Sequence, residues 1–88
     1  MISQPKKLNY LQINLQHSKV ASLTLAQTIL DFDIDIVFIQ EPYAYQLSQY
    51  IVVPNIPTGY QVIHALDSNH AYGAAIIHKS NIKAQKIH

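Results

Sequence analysis

The chain has no cysteine, no arginine and only two glycines among its 88 residues. Without cysteine, it can form neither a disulfide framework nor a zinc site with thiolate ligands. Arginine contacts phosphate through two parallel hydrogen bonds, and a basic nucleic-acid-binding stripe normally contains it. Six lysines carry the positive charge, and the formal net charge is +1. Composition by itself therefore gives no sign of a nucleic-acid partner.

Charged residues and long apolar runs are also scarce. Charged side chains make up 12% of the chain and hydrophobic ones 49%, a balance too apolar for an intrinsically disordered protein. The run at residues 36–39 is far shorter than a membrane span. No apolar stretch precedes the first lysines, so we expect no signal peptide, no membrane association and an intracellular location, nuclear or cytoplasmic. The length accommodates one small domain.

The first half of the chain has the pattern of a strand, a helix and a second strand. Residues 1–7 form a polar lead that we expect to be disordered, and the domain occupies residues 8–88. Alternating apolar residues predict a strand over 8–15, and apolar residues at helical spacing predict a helix over 19–33. Another strand follows at 35–40. Short joints between these elements predict a βαβ unit with two parallel strands.

The second half favours a hairpin. Residues 43–58 are rich in turn formers and predict a loop with at most a short extended piece at 50–53. Strands are predicted at 60–66 and 71–78 around a turn at 67–70, which makes an antiparallel hairpin. The predicted fold class is therefore α/β, a βαβ unit followed by a β-hairpin.

The apolar run at residues 36–39 requires more cover than this small predicted fold can supply. A continuous apolar strand is typical of a parallel sheet covered on both faces. One long helix can cover only one face of a sheet of three or four strands. We therefore expect the chain to be the N-terminal part of a larger fold.

Two polar residues stand where the parallel strands end. Asn14 closes the first strand and Glu41 directly follows the second. Ligand sites of open parallel sheets collect outside these carboxyl ends, and oxygen ligands suit Mg²⁺. The alternative is that Glu41 is a solvated loop acid and Asn14 a turn former. Spacing alone leaves both interpretations open.

The two segments that carry these residues resemble a known family. They read LQINLQHS at residues 11–18 and IDIVFIQEPY at residues 34–43. Together, at this separation, they resemble the opening of the endonuclease/exonuclease/phosphatase superfamily, and more narrowly the apurinic-type endonuclease domain of non-LTR retrotransposons. In that family the first segment supplies an active-site Asn and the second a metal-binding Glu. The resemblance implies that these are Asn14 and Glu41, and it extends over residues 8–82.

The resemblance implies a fold, a reaction and partners. The family folds as a two-sheet sandwich with outer helices, of which this chain would be the N-terminal part. Its members are Mg²⁺-dependent (or Mn²⁺-dependent) DNA endonucleases that nick a target site for reverse transcription. The family's later motifs, including its general-base His, lie outside these 88 residues. We therefore expect DNA binding through the complete domain, metal ligands shared with the missing C-terminal part, and no turnover by this chain alone.

Two other functions remain open from the sequence. One is a phosphoesterase of the same superfamily that acts on small phosphates or inositol lipids, although the QEPY segment favours the nuclease. The other is a non-catalytic interaction module or a decayed element. Extension of the sequence beyond residue 88 would separate these possibilities.

Other polar side chains are weaker candidates. Tyr43 is included in the predicted site because it lies close to Glu41 in the sequence. His17 matches a family His, but a lone His is more typically structural. A zinc cluster of His64, His70 and His78 is disfavoured, because Asp67 is the only acidic residue near them in the sequence.

Overall fold

A computed structural model describes residues 7–66 and 73–81 of the chain. It contains one helix, a mixed sheet of four strands and an antiparallel sheet of two strands. The elements in chain order are β1 (Tyr10–Asn14), α1 (Lys19–Asp31), β2 (Ile36–Gln40), β3 (Tyr45–Leu47), β4 (Tyr50–Val52), β5 (Tyr60–His64) and β6 (Ala74–Lys79). The lead predicted for residues 1–7 and the turn predicted for 67–70 lie outside the described residues, apart from Lys7.

The larger sheet has the strand order β1-β2-β6-β5. β1 and β2 run parallel on either side of the α1 connection, with Leu11 opposite Val37. β6 pairs antiparallel with both β2 and β5. The predicted βαβ unit, the predicted antiparallel hairpin and the α/β class are confirmed. The predicted bounds differ by one to three residues at most ends, where helices and strands fray.

Helix α1 is fixed at both ends by local hydrogen bonds. The Ser18 hydroxyl accepts a hydrogen bond from the Ala21 N–H at 3.1 Å, which makes Ser18 the N-cap. At the other end, the Phe32 N–H donates to Thr28 O at 3.0 Å. Asp33 then takes a φ of 50°, so the chain leaves the helix and enters β2. The helix therefore ends two residues before the predicted bound at 33.

The core lies between α1 and one face of the larger sheet. Alternate strand residues share a face, and those that face the helix are apolar. Packing of this kind is the main favourable term for a small domain. The buried apolar residues of this core are Leu15, Leu25, Ile29, Val37, Ile39, Ala75 and Ile77.

The other face of the larger sheet is open to solvent at several apolar positions. Phe38 is 42% exposed and Ile63 is 47% exposed, and Tyr10 is also exposed. The described residues therefore cover only one face of the strand at residues 36–39, in line with the prediction that one helix cannot cover both faces. Val37 and Ile39 point to the helix and are buried, whereas Phe38 points away because side chains alternate along a strand.

The segment between β2 and β5 contains a small hairpin. β3 and β4 pair antiparallel, with Tyr45 opposite Val52. The predicted extended piece at 50–53 corresponds to β4, but β3 was not predicted. Three exposed residues give β3 no period-2 pattern of burial, so the sequence carried no strand signal there.

No helix in the part of the chain that the structure describes has the length and apolarity needed to cross a membrane.

Candidate functional site

The carboxyl ends of β1 and β2 meet at one edge of the sheet. Asn14 is aligned with Gln40 at the last register position of the parallel pair. The pairing continues beyond the strands, because Leu15 N–H donates to Gln40 O at 3.0 Å and His17 N–H donates to Glu41 O at 2.9 Å. The structure therefore brings the two predicted site residues, Asn14 and Glu41, to the same edge. We call the set Asn14, Gln16, His17, Glu41 and Pro42 the carboxyl edge.

Asn14 initiates the turn that leaves β1. Its side-chain oxygen accepts a hydrogen bond from the Gln16 N–H at 2.8 Å. This Asx-turn contact holds the side chain close to the backbone. A carbonyl oxygen has two lone pairs, so this contact leaves one for a second donor or a cation. Asn14 is exposed and has the turn-forming role that the alternative interpretation foresaw.

Glu41 occupies a backbone conformation that is rare for its residue type. Its φ is 49°, in the left-handed region, where a non-glycine side chain crowds the backbone. The Glu41 N–H donates to Gly73 O at 3.2 Å, which ties this residue to the start of β6. The side chain is 38% exposed. Its carboxylate is therefore partly accessible to solvent while its backbone is held from both sides.

His17 links the turn after β1 to the end of β2. Besides its backbone bond to Glu41, its ring Nδ1 lies 3.3 Å from Pro42 O. A carbonyl oxygen only accepts, so this contact requires the proton on Nδ1. The other ring nitrogen, Nε2, lies 4.0 Å from the Glu41 carboxylate. The imidazole therefore contacts both Glu41 and the residue after it.

Left-handed backbone is concentrated at this edge. Six non-glycine residues among those described have a positive φ, and three of them are Gln16, His17 and Glu41. Each costs about 1 kcal/mol, and such residues cluster at functional sites because the surrounding structure must hold them. This feature was invisible in the sequence, since none of the three is glycine or asparagine.

The tyrosines that follow Glu41 are spread between loop and hairpin. Tyr43 is half-buried in the loop, while Tyr45 and Tyr50 are exposed on β3 and β4. The Tyr50 hydroxyl accepts a hydrogen bond from Gln49 Nε2 at 3.3 Å. No described contact joins Tyr43 to the carboxyl edge, so its place in the site stays a prediction.

The structure places the two described hairpin histidines on opposite faces of the sheet. His78 is aligned with Gln61 on β5, and His64 lies three residues further along that strand, aligned with Ala75. An odd separation along a strand puts two side chains on opposite faces. Each is engaged locally: Leu66 N–H donates to His64 Nδ1 at 3.2 Å, and His78 Nδ1 lies 2.9 Å from Lys79 O. A shared metal ion is therefore geometrically excluded for this pair. His70 lies outside the described residues.

A second polar cluster lies at the opposite edge of the sheet and was not predicted. Lys79 Nζ is 2.5 Å from Asp33 Oδ1 and 3.0 Å from Asp35 Oδ1. Asp35 is 1% exposed and also accepts a hydrogen bond from Asn9 N–H at 2.7 Å. The Tyr60 hydroxyl donates to Ile34 O at 2.6 Å. We call Asp33, Asp35, Tyr60 and Lys79 the ion-pair edge.

Two groups at the ion-pair edge, Lys79 and Tyr60, have pKa values above their ordinary values. Hydrogen bonds to Asp33 and then to Asp35 raise the pKa of the Lys79 ammonium well above its ordinary value. Burial raises the pKa of the Tyr60 hydroxyl, and the nearby Lys79 charge opposes that rise. The lysine is thus shared by the two acids at hydrogen-bonding distance, and the cluster keeps one negative charge. Its sequence signal is the pair of aspartates directly before an apolar strand.

About 20 Å of strand separates the two edges, because Asp35 and Glu41 are six residue steps apart at ~3.3 Å each. Among residues 7–66 and 73–81, no group of three or more His, Cys, Asp or Glu side chains is arranged to hold a metal ion. The carboxyl edge therefore offers a partial set of oxygen ligands.

No family model, curated protein or solved structure matches this chain.

Proposed function

We propose that this chain supplies the metal-binding Glu and the active-site Asn of a Mg²⁺-dependent DNA endonuclease that nicks target sites for retrotransposition. One observation carries the proposal: Asn14 and Glu41 lie at the carboxyl ends of adjacent parallel strands. This edge is where open parallel sheets bind ligands. The resemblance of the two segments to the retrotransposon endonucleases supplies the reaction.

The oxygen atoms of the carboxyl edge fit a hard divalent cation. Mg²⁺ is commonly held by one or two carboxylates together with water and substrate phosphate. Glu41 offers a carboxylate that is 38% exposed, and Asn14 offers an amide oxygen. Mn²⁺ accepts the same donors. The ligands still needed would come from the missing C-terminal part of the domain.

The chain's own residues position these groups. The His17 and Gly73 backbone contacts hold Glu41 in its left-handed conformation, so its carboxylate is presented from a fixed backbone. Asn14 is oriented by its bond to Gln16 and would donate a hydrogen bond to the phosphate or to a neighbouring carboxylate. A bound ion would supply Lewis-acid stabilisation of the charge on the scissile phosphate and leaving oxygen.

The open sheet face supports the proposed two-sheet sandwich. Phe38 and Ile63 are aligned in one row across β2, β6 and β5, with the half-buried Ile76 between them. Exposed apolar patches of this kind mark surfaces that another layer covers. In the proposal, the second sheet of the domain packs here. The helix side of the same sheet is already covered by α1.

A plasmid-nicking assay tests the function in a completed domain. The segment is fused to a family-like portion that supplies the missing Asp, Asn and His residues, and nicking is measured with Mg²⁺. Glu41→Gln keeps the size of the side chain but removes its charge, so we expect a loss of about a hundredfold or more in rate. Asp31→Asn makes the same chemical change at the exposed end of α1 and should leave the rate unchanged.

The same assay separates the alternatives. Asn14→Ala should reduce nicking by about a hundredfold, as expected for a lost transition-state hydrogen bond. Hydrolysis of a small phosphate monoester, with no nicking, would favour the phosphoesterase. An active parent whose Glu41→Gln variant nicks equally fast would show that Glu41 is a solvated loop acid.

A further inference from the structure

Helix α1 carries apolar side chains on two opposite sides. Ser22, Leu25 and Ile29 are buried on the side that faces the sheet. On the outer side, Val20 is 72%, Leu23 is 50% and Leu30 is 55% exposed. Together with Gln27, these outer residues are spaced three, four and three apart, which is the spacing of a helix–helix contact seam. We call Val20, Leu23, Gln27 and Leu30 the outer stripe.

The charges at the ends of α1 oppose the dipole of their own helix. Lys19 is its first residue and Asp31 its last, and there is no acidic residue in the first turn and no basic residue in the last. A helix N-terminus favours negative charge and a C-terminus favours positive charge. Both end charges are therefore unfavourable in the isolated helix and would be relieved by an oppositely directed helix alongside.

We propose that the outer stripe is a self-association surface on which a second copy of this chain packs its α1 antiparallel to the first. Along the helix, the positions of the outer stripe are symmetric about the level of residue 25. A two-fold axis at that level, on the outer side of the helix, places Val20 opposite the partner's Leu30 and Leu23 opposite the partner's Gln27. It also places Lys19 at the level of the partner's Asp31. Such self-complementarity is the requirement for an isologous dimer.

The flank of α1 extends the proposed contact. A cleft of about 310 Å³ lies between the helix and the loop that follows β4. Its walls include Leu23, Ala26, Ile56 and Pro57. Ala26 lies next to the symmetry axis, where a small side chain lets two helices approach closely. The partner's apolar stripe residues therefore meet a shallow surface of mixed apolar and polar side chains.

Charge complementarity fits a second copy. When two copies of α1 run antiparallel about this axis, the basic end of each lies at the level of the acidic end of the other. Gln27 Nε2 donates to Asp31 Oδ1 at 2.8 Å, which keeps the acidic end beside the stripe. The contact is independent of the carboxyl edge and of the endonuclease proposal, because α1 and the strand ends use different surfaces.

Sedimentation equilibrium of the full 88-residue chain tests the proposal. Because the open sheet face could also associate, the measurement is made in a background with Phe38→Thr and Ile63→Thr. We expect a dimer with a dissociation constant of about 100 μM or lower. Leu23→Gln, which keeps helix propensity, should weaken dimerisation at least tenfold. Leu47→Gln, an equally exposed leucine on β3, is the matched control and should change nothing.

Charge reversal gives the sharper result. Lys19→Glu improves the fit to the helix's own dipole, so it should raise the melting temperature of the monomer while weakening the dimer several-fold. Adding Asp31→Lys to the same chain should restore the dimer to within about twofold, since opposite charges again face each other. A background that is monomeric at about 1 mM, an association unaffected by Leu23→Gln, or a Lys19→Glu variant that dimerises more tightly would overturn the proposal.

Discussion

The two ends of the larger sheet both carry acidic side chains, and they hold them in different ways. At the ion-pair edge, Asp35 is 1% exposed and shares Lys79 with Asp33 at hydrogen-bonding distance. At the carboxyl edge, Glu41 is 38% exposed and the nearest ring nitrogen of His17 is 4.0 Å away. The first edge pairs both of its acids with one lysine. The second leaves its carboxylate partly open to solvent.

The backbone shows a smaller difference. One acid of the ion-pair edge, Asp33, has a positive φ of 50°, whereas three residues of the carboxyl edge have one, including Glu41 with a φ of 49°. Strain of this kind persists only where other contacts hold it, and here those contacts come from His17 and Gly73. The edge with more acids therefore serves stability, while the edge with one acid keeps its carboxylate partly accessible, as the proposed metal site requires.

The largest expected effect comes from removal of the buried acid. Asp35→Ala takes one partner from Lys79 and leaves the Asn9 N–H without its acceptor. Breaking a buried, hydrogen-bonded pair should lower the free energy of unfolding by about 3 kcal/mol. Urea denaturation followed by circular dichroism measures this loss.

Asp31→Ala is the control for that measurement, since Asp31 is an exposed acid that accepts a hydrogen bond from the neutral Gln27. Its removal should change the free energy of unfolding by less than about 0.5 kcal/mol. Equal effects of the two substitutions would show that the ion-pair edge has no special role.

A pH-dependent effect of intermediate size should arise at the same edge. The pKa values of Lys79 and Tyr60 are both raised above their ordinary values of 10.5 and 10.0. The folded chain therefore binds these protons more tightly than the unfolded chain does. Their contribution to stability is complete below the ordinary values and is lost as the pH rises past them.

The contribution of Lys79 to this pH dependence can be isolated by comparing the parent with a variant that lacks the ammonium. Unfolding free energies of the parent and of Lys79→Met are measured from about pH 9 to about pH 11. The parent should lose stability more steeply than Lys79→Met, which has no proton to release at this position. Parallel curves would contradict the assignment of the raised pKa to folding.

The smallest expected effect is a gain in stability at the carboxyl edge. Glu41→Gly replaces a residue at positive φ with one that adopts this conformation freely, so the free energy of unfolding should rise by about 0.5 kcal/mol. Removal of an acid thus stabilises one edge and destabilises the other. A loss of stability in Glu41→Gly would show that its side chain has a structural role.

The sequence was sufficient for the elements that depend on local pattern. The alternation in β1, the helical spacing in α1 and the turn formers around the β5–β6 hairpin specified type and order correctly. The same logic placed Asn14 and Glu41 at one edge, since parallel strands joined by a helix must end on the same side.

The remaining features depend on contacts between distant residues. Lys79 reaches Asp33 across 46 positions of sequence, and no periodicity predicts such a pair. Phe38 is exposed because α1 covers the other face of the sheet. The apolar run at 36–39 could not indicate which face the helix would cover. Positive φ values at Gln16, His17 and Glu41 carry no residue signature, because none of the three is glycine or asparagine.

The most direct test of the comparison between the edges is where a divalent cation binds. Mn²⁺ is titrated into the ¹⁵N-labelled chain, and paramagnetic broadening of each amide is followed. We predict broadening at about millimolar Mn²⁺ for the amides of Gln16, His17 and Glu41, and its loss in Glu41→Gln. The amides of Asp33 and Asp35 should stay sharp, because Lys79 already lies against the Oδ1 atom of each carboxylate. Broadening centred on Asp33 and Asp35 would contradict the account.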